Sequence, residues 1–168
     1  PIALRYFRDE RNLIKASADS ALITHWDLQA RWAAVALNLI IARLLLGRRE
    51  GVLEEVIPNI MHPRVAGRLQ RALALEMDDL KTSSYVLDTL QVAVWCFFKT
   101  FSFEDALETA VNLGGDTDTQ GAVCGAMAGA YYGIDTIPER WLTSLKDRER
   151  IASLGLALLR LATAEQRA

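Results

Sequence analysis

Four glycines, Gly121, Gly125, Gly129 and Gly133, recur at every fourth position of "TQGAVCGAMAGAYYGI", a segment otherwise composed of helix-compatible residues. Each glycine inside a helix costs about 1 kcal/mol relative to alanine. A spacing of four keeps them on one slowly drifting stripe, so the cost is offset if a neighbouring helix packs closely along that stripe. Such stripes are best known from membrane dimers. Here, however, the longest stretch free of formal charge, Thr119 to Ile134, has 16 residues, short of the roughly 18 to 20 that span a bilayer. The expectation is therefore a buried central helix inside a bundle, with no membrane partner.

The rest of the chain follows the same helical period. "THWDLQARWAAVALNLIIARLLLG" predicts a helix over 25–46, with Thr24 as its cap, Asp27 completing a capping box and Gly47 as its stop. Shorter helices are expected over 49–57, ending before Pro58, and over 65–77. "SSYVLDTLQVAVWCFFKT" has an apolar period consistent with a buried helix; its Val and Phe content leaves a strand as the alternative, and its length favours the helix. "SFEDALETAVNLGG" predicts a helix over 103–113, capped by Ser102, with Glu104 and Asp105 in its first turn and Gly114 as a left-handed exit. Pro138 opens another helix, and "RERIASLGLALLRLA" is an amphipathic closing one. The sum is a compact, all-α, orthogonal multi-helix bundle of about eight helices around the glycine-striped one. No linker or repeat divides residues 1–168, so one domain is expected.

The 51% apolar content supports a single sizeable core, and a net charge of -2 gives no basic excess for binding nucleic acid. Cys96 and Cys124 lack metal-ligand spacing and read as buried, reduced thiols, which makes a cytoplasmic location the expectation. Trp26, Trp32, Trp95 and Trp141 have no accompanying basic cluster and are expected to pack in or at the edge of the core. The chain opens on Pro1 rather than Met, and "PIALRYFRDE" begins as if continuing an apolar segment. A missing N-terminal region is the expectation.

Between two of these helices lies "GGDTDT". Asp116 and Asp118 can project in one direction while Thr117 points away, and Thr119 adds a hydroxyl from the first turn of a helix expected to start near it. Three hard oxygen donors suit Mg²⁺, Mn²⁺ or Ca²⁺. A single aspartate serving as a helix cap is the alternative reading of either carboxylate. A calcium loop of the EF-hand kind counted from Asp116 finds Gly121 at its sixth position but Met127 where the bidentate glutamate belongs, which excludes it.

The stretch "SFEDALETAVNLGGDTDTQGAVCGAMAGAYYGIDTIPERW" closely resembles the C-terminal signature of the ADP-ribosylglycohydrolase family, which includes dinitrogenase-reductase-activating glycohydrolases and ADP-ribosyl-arginine and ADP-ribosyl-serine hydrolases. Weaker similarity runs back through "SSYVLDTLQVAVW" and "THWDLQARWAA" to "PIAL". The resemblance implies an all-α domain that holds two Mg²⁺ ions, or Mn²⁺, with Asp116, Asp118 and Thr119 among the ligands. It implies that His25, Gly114 and Gly115 lie against bound ADP-ribose, and that the substrate is an ADP-ribosylated protein or another ADP-ribose derivative cleaved at the anomeric carbon. The family's earlier "TDD" motif and its acid/base carboxylate have no counterpart in these residues. The expectation is thus the C-terminal half of one domain, needing the N-terminal half as its partner. A noncatalytic, crystallin-like relative and an inactive fragment of the enzyme remain the alternatives.

Overall fold

The computed structural model describes residues 1–164. Among them are ten α-helices: α1 (Ile2–Tyr6), α2 (Glu10–Ala21), α3 (Leu28–Leu45), α4 (Val52–Val56), α5 (Pro63–Ala72), α6 (Val86–Lys99), α7 (Phe103–Asn112), α8 (Thr117–Tyr132), α9 (Glu139–Ser144) and α10 (Arg148–Ala164). Short 3-10 turns occupy Ile57–Asn59, Met77–Asp79 and Ile134–Thr136, and no strand forms among the described residues. The all-α bundle expected from the sequence is what the chain adopts.

Two helices exceed the expected eight, and both lie in the N-terminal segment. α2 starts because the Asp9 side chain accepts a hydrogen bond from the Asn12 N–H at 3.1 Å and so caps the first turn. The other differences are at helix ends. Thr24 does not cap the long helix; Asp27 does, its Oδ1 accepting from the Gln29 and Ala30 N–H groups at 2.8 and 3.1 Å. The helix therefore begins at Leu28, and Thr24, His25 and Trp26 belong to the connector before it. α5 begins at Pro63, whose fixed φ and missing N–H suit a first helical position. It ends at Ala72, earlier than the expected 77.

α6 is the innermost element: every residue from Leu87 to Phe97 is buried. α3, α5, α7 and α8 pack around it, and α3 also meets α1, α2, α4 and α8. α3 is the one described helix with the length and hydropathy of a membrane span. Its contacts on several sides, with Ala36, Leu39, Ile40 and Ala42 fully buried, are those of a core helix. Cys96 and Cys124 are both buried and reduced, and loss of hydration pushes each thiol up to about 12. Trp95 is buried as expected, its indole N–H donating to the Leu75 carbonyl at 2.9 Å. Trp26 departs from that expectation, since it stands 85% exposed in the α2–α3 connector.

The C-terminal end of α6 is closed by Arg49. Its guanidinium donates to the carbonyls of Phe97, Phe98 and Thr100 and lies over the rings of Phe97, Phe101, Tyr131 and Tyr132 at 5.2 to 5.9 Å. Carbonyls that a helix end leaves unpaired are thereby satisfied inside an aromatic shell.

The glycine stripe has a specific neighbour. α7 runs antiparallel to α8 and presents Val111, Leu107 and Phe103 to Gly121, Gly125 and Gly129 in turn. The fit is graded. A methyl group at Gly121 would stand 3.3 Å from Val111, at Gly125 3.4 Å from Leu107, and at Gly129 3.8 Å from Phe103. The helices are thus closest at the end that carries the acidic turn. Gly129→Ala has room for its methyl and gains helix propensity, so it should raise stability by about 0.5 to 1 kcal/mol, whereas Gly121→Ala has to displace Val111 and should gain less or lose. Urea unfolding of the two variants measures the difference, and equal effects would contradict the graded contact.

Candidate metal and ligand site

The acidic turn is built by two successive glycines. α7 ends with Gly114 at φ 76° and Gly115 at φ 73°, a left-handed pair that turns the chain into α8. Nothing lies within 4 Å of where a side chain on Gly114 would start. Gly115 differs, because a Cβ there would stand 2.0 Å from the Thr82 carbonyl oxygen and 2.5 Å from the Thr82 hydroxyl. This close approach lets the Asp116 N–H donate to the Thr82 carbonyl at 3.0 Å, which fastens the turn to the segment entering α6.

α8 begins at Thr117 rather than Thr119, which makes Asp116 its N-terminal flanking residue. Its carboxylate does not cap. The side chains of Asp9, Asp27 and Ser102 each accept a backbone N–H at the start of their helices, while the Asp116 side chain accepts none. It accepts the Thr119 hydroxyl instead, at 2.9 Å. Asp118, exposed in the first turn, is held below the ordinary carboxylate range, first by hydrogen bonding with Asp116 and then by the N–H groups of Thr119 and of Asp118 itself. Asp116, Asp118 and Thr119 are thus brought together, with Asp118 kept ionised at the positive end of a helix.

This donor set suits a hard divalent cation, and the Asp116 carboxylate has lone pairs left for one. It is a partial set. No group of three or more His, Cys, Asp or Glu that could hold a metal occurs among the described residues.

Thr119 also forms part of the wall of a cavity of about 340 Å³. His25, Ser84 and Thr89 supply its other polar groups, and α3, α6 and α8 supply an apolar lining that includes Ala33, Leu37 and Val123. His25 is exposed and its Nδ1 pairs with the Thr24 hydroxyl at 2.8 Å, so it reaches the cavity from a connector and not from a helix turn. The Thr89 hydroxyl has no protein partner. Of the residues the sequence singled out, His25 and Thr119 share the cavity, whereas Gly114 and Gly115 shape the turn behind it. Ser83 donates to Asp88 Oδ2 at 2.7 Å, and the Tyr85 hydroxyl donates to Gln29. The part played by Thr82 escaped the sequence reading, because a carbonyl contact between residues 33 positions apart leaves no local pattern.

The whole chain, residues 1–168, matches the family model described as ADP-ribosylglycohydrolase. It is 37% identical to an uncharacterised protein of Archaeoglobus fulgidus over 96% of this chain and 55% of that one. It is 35% identical to an ADP-ribosyl-[dinitrogen reductase] glycohydrolase of Rhodospirillum rubrum over 74% of this chain and 40% of the relative. An ADP-ribosylarginine hydrolase of Serratia proteamaculans is 43% identical over 52% of this chain and 24% of its own length. A solved structure described as an ADP-ribosylglycohydrolase-related protein complex superposes with a TM-score of 0.84 at 35% identity, covering 96% of this chain and 57% of that one. The chain therefore spans about half, or less, of the length of these relatives.

The two glycines make separable predictions. Gly114→Ala meets only left-handed backbone strain and should cost about 1 kcal/mol, whereas Gly115→Ala adds a collision with a carbonyl and should cost about 2 to 4 kcal/mol. Denaturant unfolding tests this, and equal losses would mean that backbone strain alone sets the cost.

Proposed function

The chain belongs to the ADP-ribosylglycohydrolase family, and on that premise we propose that it forms part of a metal-dependent hydrolase that removes ADP-ribose from a modified protein or small molecule by cleavage at the anomeric carbon. The observation that carries the reading is the Asp116 carboxylate, which stands where a helix cap belongs but is not used as one. It shares a turn with the ionised Asp118 and with Thr119.

In this reading Asp116, Asp118 and Thr119 hold part of a centre for two Mg²⁺ or Mn²⁺ ions. When bound, such ions supply positive charge that orients ribose hydroxyls and lowers the pKa of a water. The Gly115–Thr82 contact keeps the two carboxylates oriented before substrate arrives. His25, Ser84 and Thr89 offer hydrogen bonds along the cavity that begins at Thr119, and its apolar wall excludes water from one side of the ligand. The remaining ligands and the acid/base carboxylate come from the N-terminal half of the same domain. The names of the relatives, an ADP-ribosylarginine hydrolase and an ADP-ribosyl-[dinitrogen reductase] glycohydrolase, support an ADP-ribosylated substrate and leave more than one leaving group open.

The test is release of free ADP-ribose by the full-length protein during titration with Mg²⁺ or Mn²⁺. Asp116→Asn and Asp118→Asn should each lower the rate on the order of 100-fold or more and weaken metal binding measured by calorimetry. Metal-independent release, or full activity in both variants, would overturn the proposal.

A further inference from the structure

A second cleft, of about 460 Å³, opens on the far side of the segment that enters α6. Its walls include Arg64, Arg68 and Arg71 of α5, with Gly67 between them and Tyr85 opposite. The spacing of four and then three residues puts all three guanidinium groups on one helix face. Gly67 leaves the floor of that face bare, and the Arg71 Nη2 reaches to 4.0 Å from where a Gly67 side chain would start.

One carboxylate serves these three cations. Arg68 donates to the Gln91 Oε1 at 2.7 Å and forms an ion pair with Asp88 at 2.9 Å, and Asp88 is itself buried beneath the cleft. Arg64 and Arg71 are exposed and have no acidic partner among the described residues. Arg68 is needed as the partner of the buried Asp88, whereas like charges at this spacing repel and no ion pair offsets Arg64 or Arg71 among the described residues.

The start of α5 adds to the positive field. His62 provides no side-chain cap, and the first turn contains no acid; Arg64 stands there instead. α2 and α7 begin in the opposite way, each with a side-chain cap and an acid in its first turn. Arg64 at the positive end of α5, Arg68 in its middle and Arg71 in its last turn therefore line one concave surface in a chain of net charge -2.

We propose that this cleft binds a phosphate-type oxyanion at a site distinct from the acidic turn. Guanidinium groups match phosphate oxygens with paired N–H donors, and the fixed Arg68 gives the two unpaired arginines a rigid reference. The loop between α5 and α6 joins the two places: the Thr82 carbonyl holds the acidic turn, and three residues later Tyr85 lines the arginine cleft. The proposal does not depend on hydrolase activity, so either can fail alone.

Inorganic pyrophosphate titrated into the full-length protein by calorimetry, with chelator present to remove metal, tests it. The expected result is saturable binding that weakens with salt and falls at least tenfold in the double variant Arg64→Gln/Arg71→Gln, which spares the Arg68–Asp88 pair. The double variant Arg64→Lys/Arg71→Lys should keep only part of the affinity. No saturable binding, unchanged affinity in the glutamine variant, or full affinity in the lysine variant would each overturn a fitted site. Competition with ADP-ribose then identifies the source of the oxyanion: displacement points to the pyrophosphate of ADP-ribose, and simultaneous binding points to a separate phosphate-bearing ligand. Circular dichroism confirms that the variants remain folded.

Discussion

The contact between Gly115 and the Thr82 carbonyl governs the geometry around it. Two chain segments approach so closely that no side chain fits between them, and the hydrogen bond made possible there joins the α7–α8 turn to the entry of α6. α6 is buried along its whole middle and so acts as the fixed reference of the bundle. The acidic turn, though exposed, is thereby tied to the segment that leads into this buried helix. Asp116 and Asp118 both belong to this turn, so the contact helps fix where the two carboxyl groups stand.

The glycine stripe supports the same end from the other side. Its contacts with Val111, Leu107 and Phe103 tighten toward the turn, so the two helices that the turn connects are drawn together most closely beside it. The polar residues buried nearby have a cost. Gln120 is fully buried one turn into α8, and neither its oxygen nor its nitrogen has a protein partner. An unpaired buried amide costs about 1 to 3 kcal/mol. This is the kind of local loss found where a site, and not the core, sets the choice of residue.

Much of this was legible in the sequence because it is local. Ser102 and Asp105 fix where α7 starts, Gly114 fixes where it stops, and the spacing of four along α8 requires a close helix neighbour; each signal lies within a few residues of the structure it specifies. The beginning of α3 was misread because Thr24 and Asp27 both carry cap-forming side chains, and only the backbone path decides which one meets free N–H groups. Trp26, expected to pack in or at the edge of the core because no basic cluster accompanies it, stands exposed because the helix starts only after it and leaves it in the connector. The Arg49 closure of α6, the Thr82 anchor and the arrival of His25 at the same cavity as Thr119 depend on contacts across dozens of residues, and no spacing rule encodes them.

The two charged regions beside the α5–α6 loop follow from where unlike charges can be kept apart. An acidic turn and an arginine-lined cleft exposed to each other would pair and neutralise. Here the one acid that reaches the arginines, Asp88, is held by Arg68 and by the Ser83 hydroxyl. Asp88 thus belongs to the buried frame and leaves Asp116 and Asp118 on the other side of the loop without a cationic partner among the ion pairs of the described residues. Ser83 and Tyr85 flank Ser84 in that loop, so three consecutive residues face the buried acid, the cavity and the arginine cleft.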